Sequence, residues 1–252
     1  MIPESFQQRF AIEHWFDAFC RQLSSDPVPT GDEETWTFSF RRSVLEALSD
    51  SSAELFLNPL MASHLRHFGR HLARQHAPEK WFWVRSEWDK TDLAYGLATP
   101  FDAAHHGWER AWSSGITGDL GQIEAKVCYT HFDAGQIGTL AKQLRTRKNR
   151  DRQNNVPHRH RQCYHGVVWL FQHTGVDGIS GQSERLTRDA CDLGLTLRRP
   201  FGTADAAVHL GRLWPSQSGK DYFCGVSLAL FELEADDRAP HKAEQPEPAT
   251  VT

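Results

Sequence analysis

Hydrophobic positions near the start of the chain recur with helical spacing. Phe6, Phe10, Trp15, Phe16, Phe19 and Leu23 fall on one stripe, which predicts a single amphipathic helix over 4–23 packed on the body of the protein. A second stripe, Leu60, His64, Leu65, Phe68 and Leu72, predicts a helix that Asn58 caps and Pro59 opens in its first turn. His67 and His71 stand one turn apart on it, but with no third ligand in view they read, with Arg66, Arg70 and Arg74, as a solvated face. The period then changes. Trp81-Phe82-Trp83-Val84 is an aromatic and branched run that suits a strand, with Leu93 to Ala98 as its partner.

After Pro100-Phe101, Asp102 is placed to cap a helix through Ala103, Ala104, Trp108, Ala111 and Trp112, stopped by Gly115. Gly118-Asp119 then leads into a strand from Leu120 to Tyr129, and Asp133-Ala134-Gly135-Gln136 has the form of a capping box opening the next helix. Tyr164 to Phe171 is an unbroken apolar run, the pattern of a strand buried on both faces. A helix from Ser183 to Leu193, stopped by Gly194, leads to Leu195-Thr196-Leu197, and Tyr222 to Leu233 is a last long strand. The alternation predicts an α/β protein with a central mixed sheet flanked by helices.

A length of 252 residues fits one such domain, over 1–235, followed by an acidic and then Pro-, Ala- and Thr-rich tail over 236–252. No stretch approaches the ~20 apolar residues that cross a bilayer, and Met1 to Ser5 lack the basic and apolar parts of a secretory leader, so a cytoplasmic protein is expected. Cys20, Cys128, Cys163, Cys191 and Cys224 show no paired spacing, which argues for reduced thiols over a disulfide framework or a four-cysteine zinc site. The net charge of −4 gives no general attraction to nucleic acid. Its distribution is uneven, however. Lys142, Arg145, Arg147, Lys148, Arg150, Arg152, Arg159 and Arg161 gather in one stretch against the single acid Asp151 and predict a local basic surface.

The chemistry sits just before that stretch. In an extended strand Glu124 and Lys126 share one face while Ile123, Ala125 and Val127 face the core. Asp119 lies an odd number of residues earlier and reaches the same face only if Gly118 or Gly121 supports a turn or bulge. Two converging carboxylates make an oxygen-lined site suited to Mg²⁺ or Mn²⁺, which keep waters and accept phosphate oxygens as further ligands. With Lys126 to orient water and offset developing charge, these are the parts that phosphodiester hydrolysis requires.

These residues resemble the PD-(D/E)XK nuclease superfamily, the restriction-endonuclease-like fold, whose core places an acid before Glu-x-Lys on the next part of a central sheet. The match is Asp119, Glu124 and Lys126, and the resemblance covers roughly 100–171. It includes the order of a helix, the Glu-x-Lys strand, a basic helix and an apolar strand. The short gap from Asp119 to Glu124 looks most like the mismatch-repair nickase branch, in which an upstream helix-borne glutamate also serves the site; Glu109 matches that place. Gly118 stands where the family has proline, and Asp102 is the rival first acid. The resemblance implies a metal-dependent nuclease, with Asp119 and Glu124 on the metal and DNA favoured over RNA as substrate. Restriction, defence against foreign DNA, mobile-element processing or repair would be its setting, alone, as a homodimer or with a partner protein. Gln143, Arg145, Lys148, Arg150 and Arg152 would contact flanking phosphates.

Other readings compete. Glu124 and Lys126 could be a solvated pair on an edge strand, with no function. His158, His160, Cys163 and His165 carry ligand types that suit Zn²⁺, though not at the usual paired spacing. His105-His106 would suit a metal-free ribonuclease but lack a second acid–base partner. A nuclease fold that has lost its chemistry and only holds nucleic acid or a partner protein is a further class.

Overall fold

The computed structural model describes residues 4–25, 53–88, 91–98, 118–129, 131–153, 163–173, 179–202 and 224–234. The first stripe forms two helices rather than one, α1 (Glu4–Arg9) and α2 (Ile12–Ser25), broken at Phe10 and Ala11. Aromatic packing survives the break: Phe10 stacks on Phe6 at 5.5 Å and also meets Phe68, Phe82 and Tyr95.

Helix α3 (Ala53–His76) begins more than a turn before Asn58, which is buried within it instead of capping it. Ala53, Leu57, Met61, Leu65, Gly69 and Ala73 recur every fourth residue on the buried face. Burying Leu57, Met61 and Leu65 contributes about 1.5–3 kcal/mol each, which offsets the roughly 3 kcal/mol cost of Pro59 inside the helix. Two of its arginines are not merely solvated. Arg66 and Arg70 donate to the carbonyls of Val84 and Phe82 at 3.1 and 3.4 Å, and Arg70 also lies 4.1 Å above the Trp81 ring. They cover the backbone of an edge strand that would otherwise be open to pairing. His67 and His71 are exposed, the first against the Ser63 carbonyl and the second against Gln75.

The strands are β1 (Trp81–Trp88), β2 (Thr91–Ala98), β3 (Gly118–Tyr129), β4 (Cys163–His173), β5 (Leu195–Gly202) and β6 (Cys224–Leu233). They form one mixed sheet in the order β1-β2-β3-β4-β6-β5, flanked by helices. All neighbours are antiparallel except β3 and β4, which run parallel and are joined through α4 (Ala134–Gln153). A parallel pair needs such a crossover, whereas an antiparallel pair such as β1–β2 does not.

Each face of the sheet has its own core. Ile123, Ala125, Val167, Trp169, Leu228 and Leu230 pack with α1, α2 and α3. Val168, Leu170, Ala229 and Phe231 pack on the opposite side with Ile137, Leu140 and Leu144 of α4 and with Leu186 and Ala190 of α5 (Ile179–Asp192). β4 is therefore covered on both faces, as its apolar run predicts. Among the described residues no helix is long and apolar enough to cross a membrane.

Local signals fix the ends of α4 and α5. The Asp133 carboxylate accepts from the Gly135 N–H at 2.8 Å, capping α4. Gly194, at φ 66°, ends α5 in the left-handed region, and Arg145 of α4 donates to the adjacent Leu193 carbonyl.

Gly166 sets how closely α4 approaches the sheet. It pairs with Glu124, and a Cβ added there would lie 2.4 Å from Cδ2 of the buried Leu140. Gly166→Ala should destabilise the protein by about 1–3 kcal/mol in urea titrations. Gly138→Ala, on the same helix with nothing within 4 Å of the added carbon, should instead be neutral or stabilising by up to about 1 kcal/mol. Equal effects of the two substitutions would contradict this packing.

Candidate active site

Alternation along β3 places its side chains as the sequence predicts. Ile123 and Ala125 enter the core under α1 to α3, whereas Glu124 and Lys126 point to the α4 side. They are not a solvated edge pair: Glu124 is 1% exposed and Lys126 8%.

β3 continues past the point where β2 stops pairing with it. The register with β2 ends at Leu93–Ile123, while pairing with β4 runs on to Tyr129–Phe171. At that divergence Asp92 replaces a strand partner. Its Oδ2 accepts from the Ala125 N–H at 2.7 Å, a charge-assisted bond that ties the carboxylate to the backbone beside Glu124. The Asp92 carboxyl is near enough for its charge to act on Glu124.

Burial first, and the Asp92 charge second, push the Glu124 carboxyl up to about 7; the Arg147 and Lys126 charges pull the other way. Arg147 of α4 brings Nε to 3.4 Å from Glu124 Oε1, and the Lys126 ammonium lies 3.6 Å from Glu54 in the first turn of α3. Glu54 can reach Lys126 because no β2 residue is registered beside that part of β3. The result is a group of three carboxylates and two cations drawn from α3, β2, β3 and α4, with Glu124 and Lys126 buried at its centre and Asp92 and Glu54 partly exposed.

Among the described side chains, the acid that stands beside Glu124 is Asp92. A register shift between Tyr95 and Gly96 does break alternation, since Tyr95 pairs with Gly121 and Gly96 with Asp119. In that register Asp119 pairs with Gly96, four residues along β2 from Asp92, which is about 13 Å at strand rise; its side chain lies outside the described set. Glu54, in the first turn of α3, is the helix-borne glutamate that the described residues place beside Lys126. Glu109, Asp102, His105, His106, His158 and His160 lie outside the described residues, as does the Cys163 side chain.

The expected phosphate contacts divide. Arg145 is engaged with Leu193, and Lys148 donates to the Glu234 carbonyl at 3.0 Å, so both tie α4 to the far side of the fold. Arg150 is exposed near the end of α4, and the Arg152 side chain lies outside the described set. Gln143 is half-buried, and its Oε1 has no hydrogen-bond partner among the described residues. Arg147, part of the basic run but not among the expected contacts, is the helix residue that reaches the carboxylates.

Among the described residues no three His, Cys, Asp or Glu side chains gather closely enough to hold a metal by themselves. Asp92 and Glu124 nevertheless fit a hard divalent cation, because Mg²⁺ is commonly held by one or two carboxylates and completes its shell with waters and phosphate. Glu124 Oε1, buried with no hydrogen-bond partner among the described residues, suits the same role. No family model, curated protein or solved structure matches the chain.

His165, proposed from sequence as a zinc ligand, is fully buried. Burial lowers it to about 4, with nearby Glu13 raising and Arg198 lowering it to lesser degrees. The folded protein keeps this ring neutral while the unfolded chain takes up a proton below about pH 6.5, so the stability it contributes is present above pH 6.5 and lost as pH falls towards 4. Between pH 7 and 4.5 the wild type should lose about 2–3 kcal/mol more in urea unfolding than His165→Leu. Identical losses would show that this histidine protonates without cost in the folded state.

Proposed function

We propose that the chain is a metal-dependent phosphodiesterase that cuts DNA, with Asp92 and Glu124 holding Mg²⁺ or Mn²⁺ and Lys126 assisting beside them. The observation that carries the reading is the meeting of the buried Glu124 carboxylate, the half-buried Asp92 carboxylate and a lysine where β2 leaves β3. An acid on one strand and Glu-x-Lys on the next is the arrangement of the PD-(D/E)XK nucleases that the sequence resembles. The order of elements supports the same restriction-endonuclease-like core: α3 with Glu54, the β1-β2-β3 meander, the basic helix α4, then apolar β4 parallel to β3.

A bound divalent cation would polarise the scissile phosphate and make a coordinated water easier to ionise. The protein's own groups do the rest. Asp92 is held in place by the Ala125 N–H, so little motion is needed for its second oxygen to face Glu124. The Lys126 ammonium offsets negative charge that develops on the phosphoryl oxygens, and Glu54 fixes where that ammonium rests. Because Glu124 and Lys126 are buried, these charges act through a medium less polar than water, which strengthens each of them. The exposed cations of α4, Arg150 among them, supply salt-sensitive affinity for the DNA backbone. Restriction, defence, mobile-element processing and repair are the settings such an activity would serve.

Purified protein should nick or cut plasmid DNA in Mg²⁺ or Mn²⁺ and not in chelator. Asp92→Asn, Glu124→Gln and Lys126→Ala should each lower the rate by about 100-fold or more with the fold intact by thermal melting. Asp119→Asn should leave the rate essentially unchanged. Loss of activity in Asp119→Asn with retention in Asp92→Asn would overturn the choice of acid. No metal-dependent cleavage of DNA or RNA would leave a nucleic-acid- or protein-binding module in its place.

A further inference from the structure

Arg147 stands in the site with its partner already chosen. Ile137, Leu140 and Leu144 turn one face of α4 to the sheet, and Arg147, three residues after Leu144, continues that face. Its side chain is 13% exposed and that of Glu124 2%, so the pair is enclosed. The contact at 3.4 Å is an ionic one, and Glu124 Oε1 accepts no hydrogen bond from the described residues. Arg147 is thus a counter-ion enclosed with the carboxylate.

A divalent cation held by Asp92 and Glu124 would set a double positive charge against the guanidinium and take over its partner. Two like charges a few ångströms apart in a buried site repel strongly, so the guanidinium is driven from Glu124. A phosphodiester brought up to the same cation carries the negative charge it needs next, and the planar fork of arginine suits two phosphate oxygens. We propose, resting on the nuclease reading above, that Arg147 exchanges partners: Glu124 in the metal-free protein, and a non-bridging phosphate oxygen of the DNA once a divalent cation occupies the carboxylates. Linkage makes the consequence reciprocal. Arg147 weakens metal binding in the absence of DNA and strengthens DNA binding only when metal is present, so cation and substrate load together.

The test needs no turnover. Mn²⁺ binding is measured by calorimetry without DNA, and binding of a fluorescent DNA duplex by anisotropy in EDTA and in Ca²⁺, for wild type, Arg147→Ala and Arg147→Lys. The proposal expects Arg147→Ala to bind Mn²⁺ about fivefold to tenfold more tightly, and to lose about tenfold in DNA affinity in Ca²⁺ but none in EDTA. Arg147→Lys keeps the charge and loses the fork, so its Mn²⁺ affinity should stay near wild type while its DNA affinity falls in Ca²⁺ alone; it carries the test if the alanine variant does not fold. Mn²⁺ affinity unchanged or weakened in Arg147→Ala, or DNA affinity lost equally in EDTA and Ca²⁺, would overturn the exchange. Such a result, with Mn²⁺ still bound by wild type and lost in Asp92→Asn, would leave the nuclease reading standing. Absence of saturable Mn²⁺ binding to wild type would remove both.

Discussion

A carboxylate occupies the place of a strand partner at the point where two neighbouring strands part. Asp92 takes the Ala125 N–H at 2.7 Å where the pairing of β2 with β3 ends, and everything else at the site follows from that substitution. Without a partner, this N–H would be an unpaired donor at a gap in the sheet, costing about 1–3 kcal/mol. With the aspartate there, the backbone is satisfied and an acid is fixed beside Glu124. The gap also lets Glu54 come within 3.6 Å of Lys126.

A buried carboxylate beside a half-buried one is unfavourable by itself, and the fold answers the pair with charge. Arg147 and Lys126 supply nearby cations, yet the Glu124 carboxyl is still pushed up to about 7, and one of its oxygens has no hydrogen bond among the described residues. Removing either cation would leave buried negative charge less compensated, whereas adding a divalent cation would relieve the repulsion between Asp92 and Glu124. The stiffness of this arrangement rests on the surrounding cores. Ala125 and Ile123 anchor β3 on one side, and Gly166 admits Leu140 and hence α4 close to the other. The site is therefore built on strands and a helix, which hold side chains more tightly than loops do.

Much of this was legible in local pattern. Alternation on β3 was enough to pair Glu124 with Lys126, the apolar run named β4 as a doubly covered strand, and the charge count located the basic helix. Asp92 was missed because the apolar signal of β2 begins at Leu93, leaving the acid just outside the expected strand, and because β2–β3 pairing joins residues about thirty apart in sequence. One sign was available: in a strand that begins at Thr91, Asp92 lies on the face opposite Leu93, Tyr95 and Leu97, all of which are buried in the main core. Glu54 was hidden by Asn58-Pro59, a convincing helix start that the fourfold stripe of buried residues overrides. Arg147 differs from its basic neighbours only in lying three residues after a buried leucine, which says where it points once the sheet is in place.

The most direct measurement is a crystal structure of the protein soaked with Mn²⁺, using anomalous scattering to locate the ion. The account predicts one strong peak bridged by the carboxylates of Asp92 and Glu124 at about 2.0–2.3 Å from their oxygens. A peak coordinated by Asp119 without Asp92, or no peak near Glu124 under conditions that support metal binding in solution, would contradict it.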